Sequence, residues 1–232
     1  MALQYSPKVI TSGLTLLLDA GDINSYPRSG TTWYDVSNSG KNVTLVNGPS
    51  FNSANSGYFS FDGSDDYGSI AGGFYAITLG NGELSWTTTA WVKTSTSADG
   101  LGQGSVISNS SGGPVYSMMG LNTGRIVYWS YHPSLGGWYR NLGNTTINNN
   151  AWHMLTWVNY GNSTMQMYVD GVLDSSTFSS LSGNNNPLDI IGGSWAGRFA
   201  GDIACLSINK GFALSSSQVV QNYQAQKTRF GL

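Results

Sequence analysis

Apolar residues recur with a period of two in many short runs along the chain, and the rest of the fold is organised around residues 151–174. Residues 152–158 carry large apolar side chains on both faces, which predicts a central strand of a sheet. Residues 165–169 repeat the alternation. The Asp170-Gly171 pair that follows predicts a type I′ turn, because both central residues of that turn need positive φ angles. We therefore predict an antiparallel meander at the centre of the fold.

The same alternation predicts further short strands on both sides of this meander. They cover residues 14–18, 44–46, 58–61, 67–70, 84–93, 105–108, 115–121, 125–131, 188–191 and 201–208. In the strand at 84–93, apolar residues alternate with Thr and Ser, which predicts one buried face and one solvated face. Many short strands of this kind are typical of a β sandwich.

The segments between these strands contain the glycines and prolines typical of loops. We interpret residues 132–150 and 175–187 as long irregular loops. The first of them is a candidate functional surface, because long irregular connections in β folds often carry function. A helix is predicted only at residues 215–226, where Ser215 and Gln218 match a capping box.

Composition narrows both the fold class and the partners. The chain has 232 residues, 31 of them glycine, which suits many tight turns. Charged residues make up 9%, far below the usual share of about 25%, so uncharged polar residues must dominate the surface. A net charge of −2 with ten scattered Lys and Arg residues argues against a nucleic-acid partner. We predict an all-β antiparallel sandwich as a single domain at 14–232, after an N-terminal arm at 1–13.

The sequence also bears on location and on cysteine chemistry. No run reaches the roughly 18 apolar residues of a membrane span, and the N-terminus lacks the apolar segment of a signal peptide. We expect a soluble protein that has no membrane partner. The single cysteine, Cys205, lies in an apolar run, which predicts a buried and inert thiol.

Several sequence pieces, in the same order, resemble the concanavalin A-like, laminin-G-like jelly-roll family. They are residues 61–67, 85–92, 151–153, 168–171, and 201–203 followed by 213–215. The resemblance implies two packed antiparallel sheets, one of them concave. It implies a binding module in most members, a structural calcium ion in some, and glycan hydrolase or lyase activity in a minority. One departure is Ala204, which stands where the family commonly has an acidic residue.

The two ends of the chain carry a second, looser resemblance. The opening LTLLLDAGDINSYP and the closing NYQAQKTRFGL are similar to versions found in bacteriophage virion proteins. This resemblance implies a structural role in a virion.

The chain lacks the residues that the enzymes of this family use. Their hydrolases carry a carboxylate cluster with two glutamates, whereas this chain has one glutamate, Glu83, with no other acidic residue within ten positions. His153 lies in the predicted central strand, where the family usually has a packed or hydrogen-bonded histidine, so we predict a structural role. His132 lies beside Tyr131 and near Arg140, but this segment shows no lyase signature. We predict that the protein is not an enzyme.

Three carboxylates occur within five positions at Asp62, Asp65 and Asp66. Carboxylate oxygens are the ligands that calcium prefers, so calcium is a candidate cofactor at these residues. Alternatively, the Asp side chains cap a β-turn that Asp62-Gly63 supplies. The sequence favours neither interpretation.

Four aromatic residues and an arginine form the candidate ligand site: Trp129, Tyr131, Trp138, Tyr139 and Arg140. Aromatic rings hold sugars and also bury protein interfaces. Core packing is the alternative, and it fits part of the set. Alternation places Trp129 and Tyr131 on one face, whereas we expect Trp138 and Tyr139 to be exposed.

Taken together, these features favour a non-enzymatic virion structural protein, as a capsid decoration or as a module attached to the neck or tail. Its predicted partners are other virion proteins and cell-surface glycan, and a homo-oligomer is compatible with this role. The predicted location is the virion, assembled in the host cytoplasm. One alternative is a carbohydrate-binding lectin or adhesin, such as a tail-fibre receptor-binding module. A second alternative is a glycan hydrolase or lyase of the same fold.

Overall fold

A computed structural model describes residues 7–72, 85–97, 104–109, 116–132, 137–161, 164–179, 187–194 and 197–232. The strands in these ranges are β1 (Leu14–Asp19), β2 (Thr32–Trp33), β3 (Val43–Val46), β4 (Ser50–Asn52), β5 (Tyr58–Asp62), β6 (Tyr67–Ile70), β7 (Trp86–Lys93), β8 (Ser105–Ser108), β9 (Tyr116–Asn122), β10 (Arg125–His132), β11 (Gly137–Thr146), β12 (Trp152–Asn159), β13 (Thr164–Val169), β14 (Val172–Ser179), β15 (Ile190–Ile191), β16 (Gly193–Ser194), β17 (Gly197–Arg198) and β18 (Ala200–Lys210). The helix α1 spans Ser216–Gln226, and short 3-10 helices span Ala54–Ser56 and Lys227–Phe230.

The strands form two large antiparallel sheets, as a jelly-roll sandwich requires. Sheet I has the order β14-β13-β12-β7-β18-β5-β4, with β1 also paired to β18. Sheet II has the order β11-β10-β9-β8-β15-β6-β3-β2. The predicted all-β sandwich with one short C-terminal helix is confirmed for the described part of the chain.

The main core lies between the inner faces of the two sheets. Its members alternate along each strand with residues of the outer faces, since successive side chains point to opposite sides. The largest fully buried side chains in it include Trp33, Phe59 and Trp157. The Trp157 indole N–H donates to the Val127 carbonyl at 2.9 Å, which ties sheet I to sheet II across this core.

The predicted central meander is confirmed. The strand β12 lies between β7 and β13, and its residues from Met154 to Asn159 are all buried. Asp170 and Gly171 have φ angles of 53° and 81°, as the type I′ turn requires. The Asp170 carboxylate also accepts the Met154 N–H at 2.8 Å, which fixes the turn to β12.

A second core covers the outer face of sheet I. Trp91 of β7 stacks on Phe230 with ring centroids 4.1 Å apart and on Tyr223 at 5.8 Å. The Thr87 hydroxyl on the same face donates to the Phe212 carbonyl and accepts the Leu214 N–H. The prediction of a solvated face on this strand is therefore wrong, because α1 and the C-terminal segment cover it. Residue 84 of the predicted strand lies outside the described residues.

The helix that provides this cover begins as predicted. The Ser215 hydroxyl accepts the Gln218 N–H at 3.3 Å, and the Gln218 side chain accepts the Ser215 N–H at 2.9 Å. These two bonds form the capping box. No helix in the described ranges is long and apolar enough to cross a membrane.

Two predicted loops contain long strands instead. Residues 137–146 of the first form β11, which pairs with β10 along most of its length. The second includes residues 175–179, where β14 continues with two register shifts against β13. Both are edge strands with largely polar sequences, which do not show the alternation of a half-buried strand.

One carboxylate joins the two edge strands across the open side of the sandwich. Asp174 of β14 is buried, and its two oxygens accept the backbone N–H groups of Asn144 and Thr145 on β11, each at 2.8 Å. Gly143 makes this approach possible, because a Cβ atom there would lie 2.0 Å from the Asp174 Oδ2 atom.

A half-buried carboxylate, Asp35, fixes the loop after β2. Asp35 accepts the N–H groups of Leu17, Ser37 and Lys41 and the hydroxyls of Ser37 and Ser39 at 2.7 to 3.0 Å. Burial raises the pKa of the Asp35 carboxyl, but these hydrogen bonds outweigh it, so the pKa lies below its ordinary value.

We expect Asp174→Ala to lower the free energy of unfolding by about 2 kcal/mol, because two edge-strand N–H groups lose a charged acceptor. Asp174→Asn should cost less, since one acceptor oxygen remains. Thr145→Ser keeps the backbone N–H and is the control, with a change within about 0.5 kcal/mol. Urea denaturation measures all three variants. Equal stability of Asp174→Ala and the wild type would contradict the joining role of this carboxylate.

We expect the free energy of unfolding to depend on pH through the Asp35 carboxyl. Its pKa is lower in the folded chain, so its contribution is complete above the ordinary carboxyl pKa of about 3.9 and is lost as the pH falls through the folded value. Asp35→Asn should therefore be less stable than the wild type at neutral pH, and the difference in stability should close as the pH falls below the folded pKa of the Asp35 carboxyl. Denaturant titrations across this range test it, and parallel stability curves for the two proteins would contradict it.

Candidate functional site

Four of the five predicted ligand residues meet on the outer face of sheet II. Trp129 of β10 is directly opposite Arg140 of β11, and Tyr131 is opposite Trp138. Residues directly opposite each other in an antiparallel pair project from the same face. We call Trp129, Tyr131, Trp138 and Arg140 the aromatic shelf.

The rings of the shelf contact one another but differ in how much of each side chain is exposed. Trp138 lies edge-on to Trp129, with centroids 6.0 Å apart, and is tilted against Tyr131 at 5.1 Å. Trp129 is 7% exposed, whereas Trp138 is 44% exposed. Trp129 thus forms the floor of the shelf, and Trp138 presents the surface that a ligand can reach.

Arg140 borders the aromatic rings on the same face. Its guanidinium carbon lies 5.9 Å from the Trp129 ring centroid, within the range of a cation–π contact. Its Nη1 group donates to the Asn122 side-chain oxygen of β9 at 3.2 Å. The guanidinium therefore reaches across β10 and is held from two sides.

A small apolar cluster supports the shelf. Met118 and Val127 are fully buried with Trp129, and Tyr131 and Leu142 pack against this group. The Trp129 indole N–H is buried without a hydrogen-bond partner among the described residues. Trp33 in the main core has the same feature, so the unpaired donor alone does not mark a site. The packing nevertheless holds the floor of the shelf in one position.

Tyr139 is separated from the other four predicted residues. It is opposite Ser130 in the register, so it projects from the opposite face of sheet II, the face that also carries Tyr128. Its side chain is 36% exposed, as the sequence predicted, but it does not join the shelf.

Sequence reasoning missed Asn122 and Arg125, which also lie on this outer face. Arg125 alternates with Val127 and Trp129 along β10, and it is directly opposite Asn122 of β9. The available signal was the hairpin at Thr123-Gly124, whose positive φ angles of 52° and 70° fix this register. Counting outward from that turn would have placed both residues beside the shelf.

The predicted calcium residues do lie close together. One carboxylate oxygen from each of Asp62, Asp65 and Asp66 falls within 4.8 Å of the others. The same side chains also make the bonds of a turn, since Asp62 Oδ1 accepts the Ser64 N–H at 2.7 Å and Asp66 Oδ2 accepts the Asp62 N–H at 3.1 Å. Both sequence interpretations therefore remain compatible with the geometry, and the calcium site stays a prediction.

The carboxyl groups at the two ends of this turn have pKa values that are shifted in opposite directions. The hydrogen bond from the Ser64 N–H is the main cause that lowers the pKa of Asp62, which is fully exposed. Burial raises the pKa of Asp66, and the nearby Asp62 and Asp65 carboxylates raise it further.

A cavity of about 300 Å³ lies beside the acidic turn, with Ser64, Thr94 and Arg198 in its walls. Two of its polar side chains already have partners within the fold. The Thr94 hydroxyl donates to the Ala200 carbonyl at 2.6 Å, and the Arg198 guanidinium lies 5.1 Å from the Tyr67 ring. The aromatic shelf is therefore the stronger candidate for a ligand.

The other candidate chemical groups serve the fold. His153 contacts the Asp170 carboxylate through Nδ1 at 2.7 Å and the Asn149 side chain through Nε2 at 3.0 Å, which supports the predicted structural role. Burial raises the pKa of the Cys205 thiol, as expected of an inert core cysteine. Ala204 is fully buried beneath the C-terminal layer. Glu83 and the side chain of His132 lie outside the part of the chain that the structure describes.

Solved structures with the same fold include three toxin binding domains. The receptor binding domain of botulinum neurotoxin C/D mosaic serotype aligns with a TM-score of 0.70 and 15% identity, over 94% of this chain and 52% of that one. The binding domain of Paraclostridial Mosquitocidal Protein 1 gives 0.66 and 14%, over 91% and 52%. The binding domain of botulinum neurotoxin DC, solved in complex with rat synaptotagmin II, gives 0.65 and 13%, over 94% and 52%.

The chain spans about half the length of these structures, and identities this low show a shared fold alone. No curated protein matches the sequence. A family model described as the concanavalin A-like lectin/glucanases superfamily matches residues 62–220, which is more than half of the chain. With its two-sheet jelly roll and this match, the chain belongs to the concanavalin A-like lectin/glucanase superfamily.

Proposed function

We propose that the protein is a non-enzymatic binding module that holds a ligand with a flat face, such as a sugar ring, on the aromatic shelf. The observation that carries this proposal is Trp138, a large aromatic residue that is 44% exposed beside a buried Trp129. A tryptophan in this position exposes apolar ring area to water, and a ligand stacked on the ring would bury that area.

The chemistry of the shelf suits binding. Its groups are aromatic faces, the Tyr131 hydroxyl and the Arg140 guanidinium, which stack against a ring and hydrogen-bond to its substituents. Glycan cleavage would need a pair of carboxyl groups about 5 to 10 Å apart around the bond that is cleaved. The single glutamate of the chain supports the non-enzymatic assignment. The three similar solved structures are named as binding domains, which supports the same role.

The finer proposal is a structural role in a virion, as a capsid decoration or a neck or tail module, with other virion proteins and host glycan as partners. Its support is the resemblance of both chain ends to phage virion proteins. In the structure these two ends contact each other, because Arg229 pairs with Asp19 at 2.7 Å. Weak sites repeated on a particle would gain avidity. Mass spectrometry of purified particles tests this role, and absence of the protein from them would contradict it.

We expect Trp138→Ala to weaken oligosaccharide binding about tenfold, because a stacking surface worth roughly 1.4 kcal/mol is lost. The melting temperature should stay within a few degrees, since the side chain is half exposed. Tyr34→Ala is the matched control, because Tyr34 is 42% exposed but lies far along the sequence from the shelf. Glycan arrays and calorimetry measure the binding. A large stability loss, or equal effects of both variants, would contradict the proposed site.

For the acidic turn, we expect calcium to raise the melting temperature and EDTA to reverse the rise, because a bound cation stabilises the folded state by mass action. Asp65→Asn should reduce this response without removing the turn bonds that Asp62 accepts from Ser64. Thermal denaturation with and without calcium measures it. No change on adding calcium would leave the turn with its structural role alone.

A further inference from the structure

We infer that the aromatic shelf takes an acidic saccharide, with Arg140 contacting its carboxylate or sulfate group. This inference rests on the proposed function, because it names the class of ligand that the same shelf selects.

The charge on the outer face of sheet II favours an anionic ligand. The four strands β8 to β11 contain two arginines, Arg125 and Arg140, and no acidic residue. The chain as a whole has 12 acidic and 10 basic residues, so this region has the opposite sign from the molecule. The alternation along β10 and the pairing with β11 place both arginines on the outer face with Trp129. A positive surface of this kind attracts an anionic ligand.

The position of the Arg140 guanidinium leaves some of its N–H donors for a ligand. The Trp129 ring and the Asn122 side-chain oxygen hold it, and among the described residues no carboxylate pairs with it. The Arg140 side chain is exposed. Its remaining N–H donors are therefore available for a ligand, and their planar arrangement matches the two oxygens of a carboxylate or sulfate.

The spacing of Arg140 and Trp138 on β11 allows one ligand to contact both side chains. Arg140 and Trp138 are two residues apart on β11, so they project from the same face of one strand. Side chains at this spacing lie about 7 Å apart along the strand, which is close to the width of one sugar ring and its substituent. A ring stacked on Trp138 thus brings an acidic substituent towards Arg140. A neutral sugar would stack equally well but would offer no anionic group to the remaining N–H donors of the guanidinium.

The experiment compares matched acidic and neutral probes on the full chain by calorimetry. An oligogalacturonate and its carboxyl-reduced form test the carboxylate, and a sulfated dextran oligosaccharide and plain dextran test the sulfate. We expect the wild type to bind at least one acidic probe about tenfold more tightly than its neutral partner, with a difference that shrinks as salt is added. Preference for only one acidic group would identify which one the shelf selects.

Variants separate Arg140 from general electrostatics. Arg140→Gln should weaken binding of the acidic probe by a much larger factor than binding of the neutral probe, and so remove the preference between them. Arg140→Lys should retain part of the preference, because an ammonium keeps the charge but not the planar pair of donors. Lys210→Gln, on sheet I, changes the net charge equally and should have no effect. The melting temperature confirms that each variant is folded.

The outcomes distinguish the two proposals. If acidic and neutral probes bind equally, or if Arg140→Gln and Lys210→Gln weaken acidic binding by the same factor, this inference is wrong. In that case, loss of neutral binding in Trp138→Ala would still support the proposed function. If the wild type binds none of the four probes, both the inference and the saccharide-binding role are overturned.

Discussion

The packing of Trp91 against Phe230 is the contact on which the arrangement of the molecule depends. It closes the second core over sheet I, where α1 and the last residues of the chain cover the outer face. Arg229 strengthens this cover through the Asp19 carboxylate and the backbone carbonyls of Asn55 and Gly57. The centre of sheet I is thereby covered on both faces, whereas the proposed ligand site lies on the outer face of sheet II.

The outer face of sheet II, in contrast, is only partly buried. Met118, Val127 and Trp129 are buried on the outer face, but Trp138 remains open at the edge formed by β10 and β11. The edge strand β11 is held in place from sheet I by Asp174, so the exposed rings project from a fixed backbone. Rigid placement reduces the entropy that a ligand must offset on binding, which is how a small aromatic surface becomes a usable site.

Features set by neighbouring residues were predictable from the sequence. The Asp170-Gly171 turn, the capping box at Ser215 and the strands that alternate along the main core all followed from local chemistry. Features set by distant residues were not predictable. The buried face of β7 depends on Phe230, and the need for Gly143 depends on Asp174 of another strand.

The candidate site shows the same division. The sequence identified Trp129, Tyr131, Trp138 and Arg140 because they cluster within twelve positions. It also included Tyr139, since only the pairing of Ser130 with Tyr139 shows that this ring faces the other way. Asn122 was missed for the converse reason, because its contact with Arg140 crosses an intervening strand.

The proposed function depends on ligand binding at the outer face of sheet II. The most direct test is to follow the tryptophan indole N–H signals by NMR during titration with an oligosaccharide that binds. We expect the signals of Trp129 and Trp138 to shift together, while those of Trp91 and Trp152 beneath the C-terminal layer stay in place. Shifts confined to Trp91 and Trp152 would contradict it.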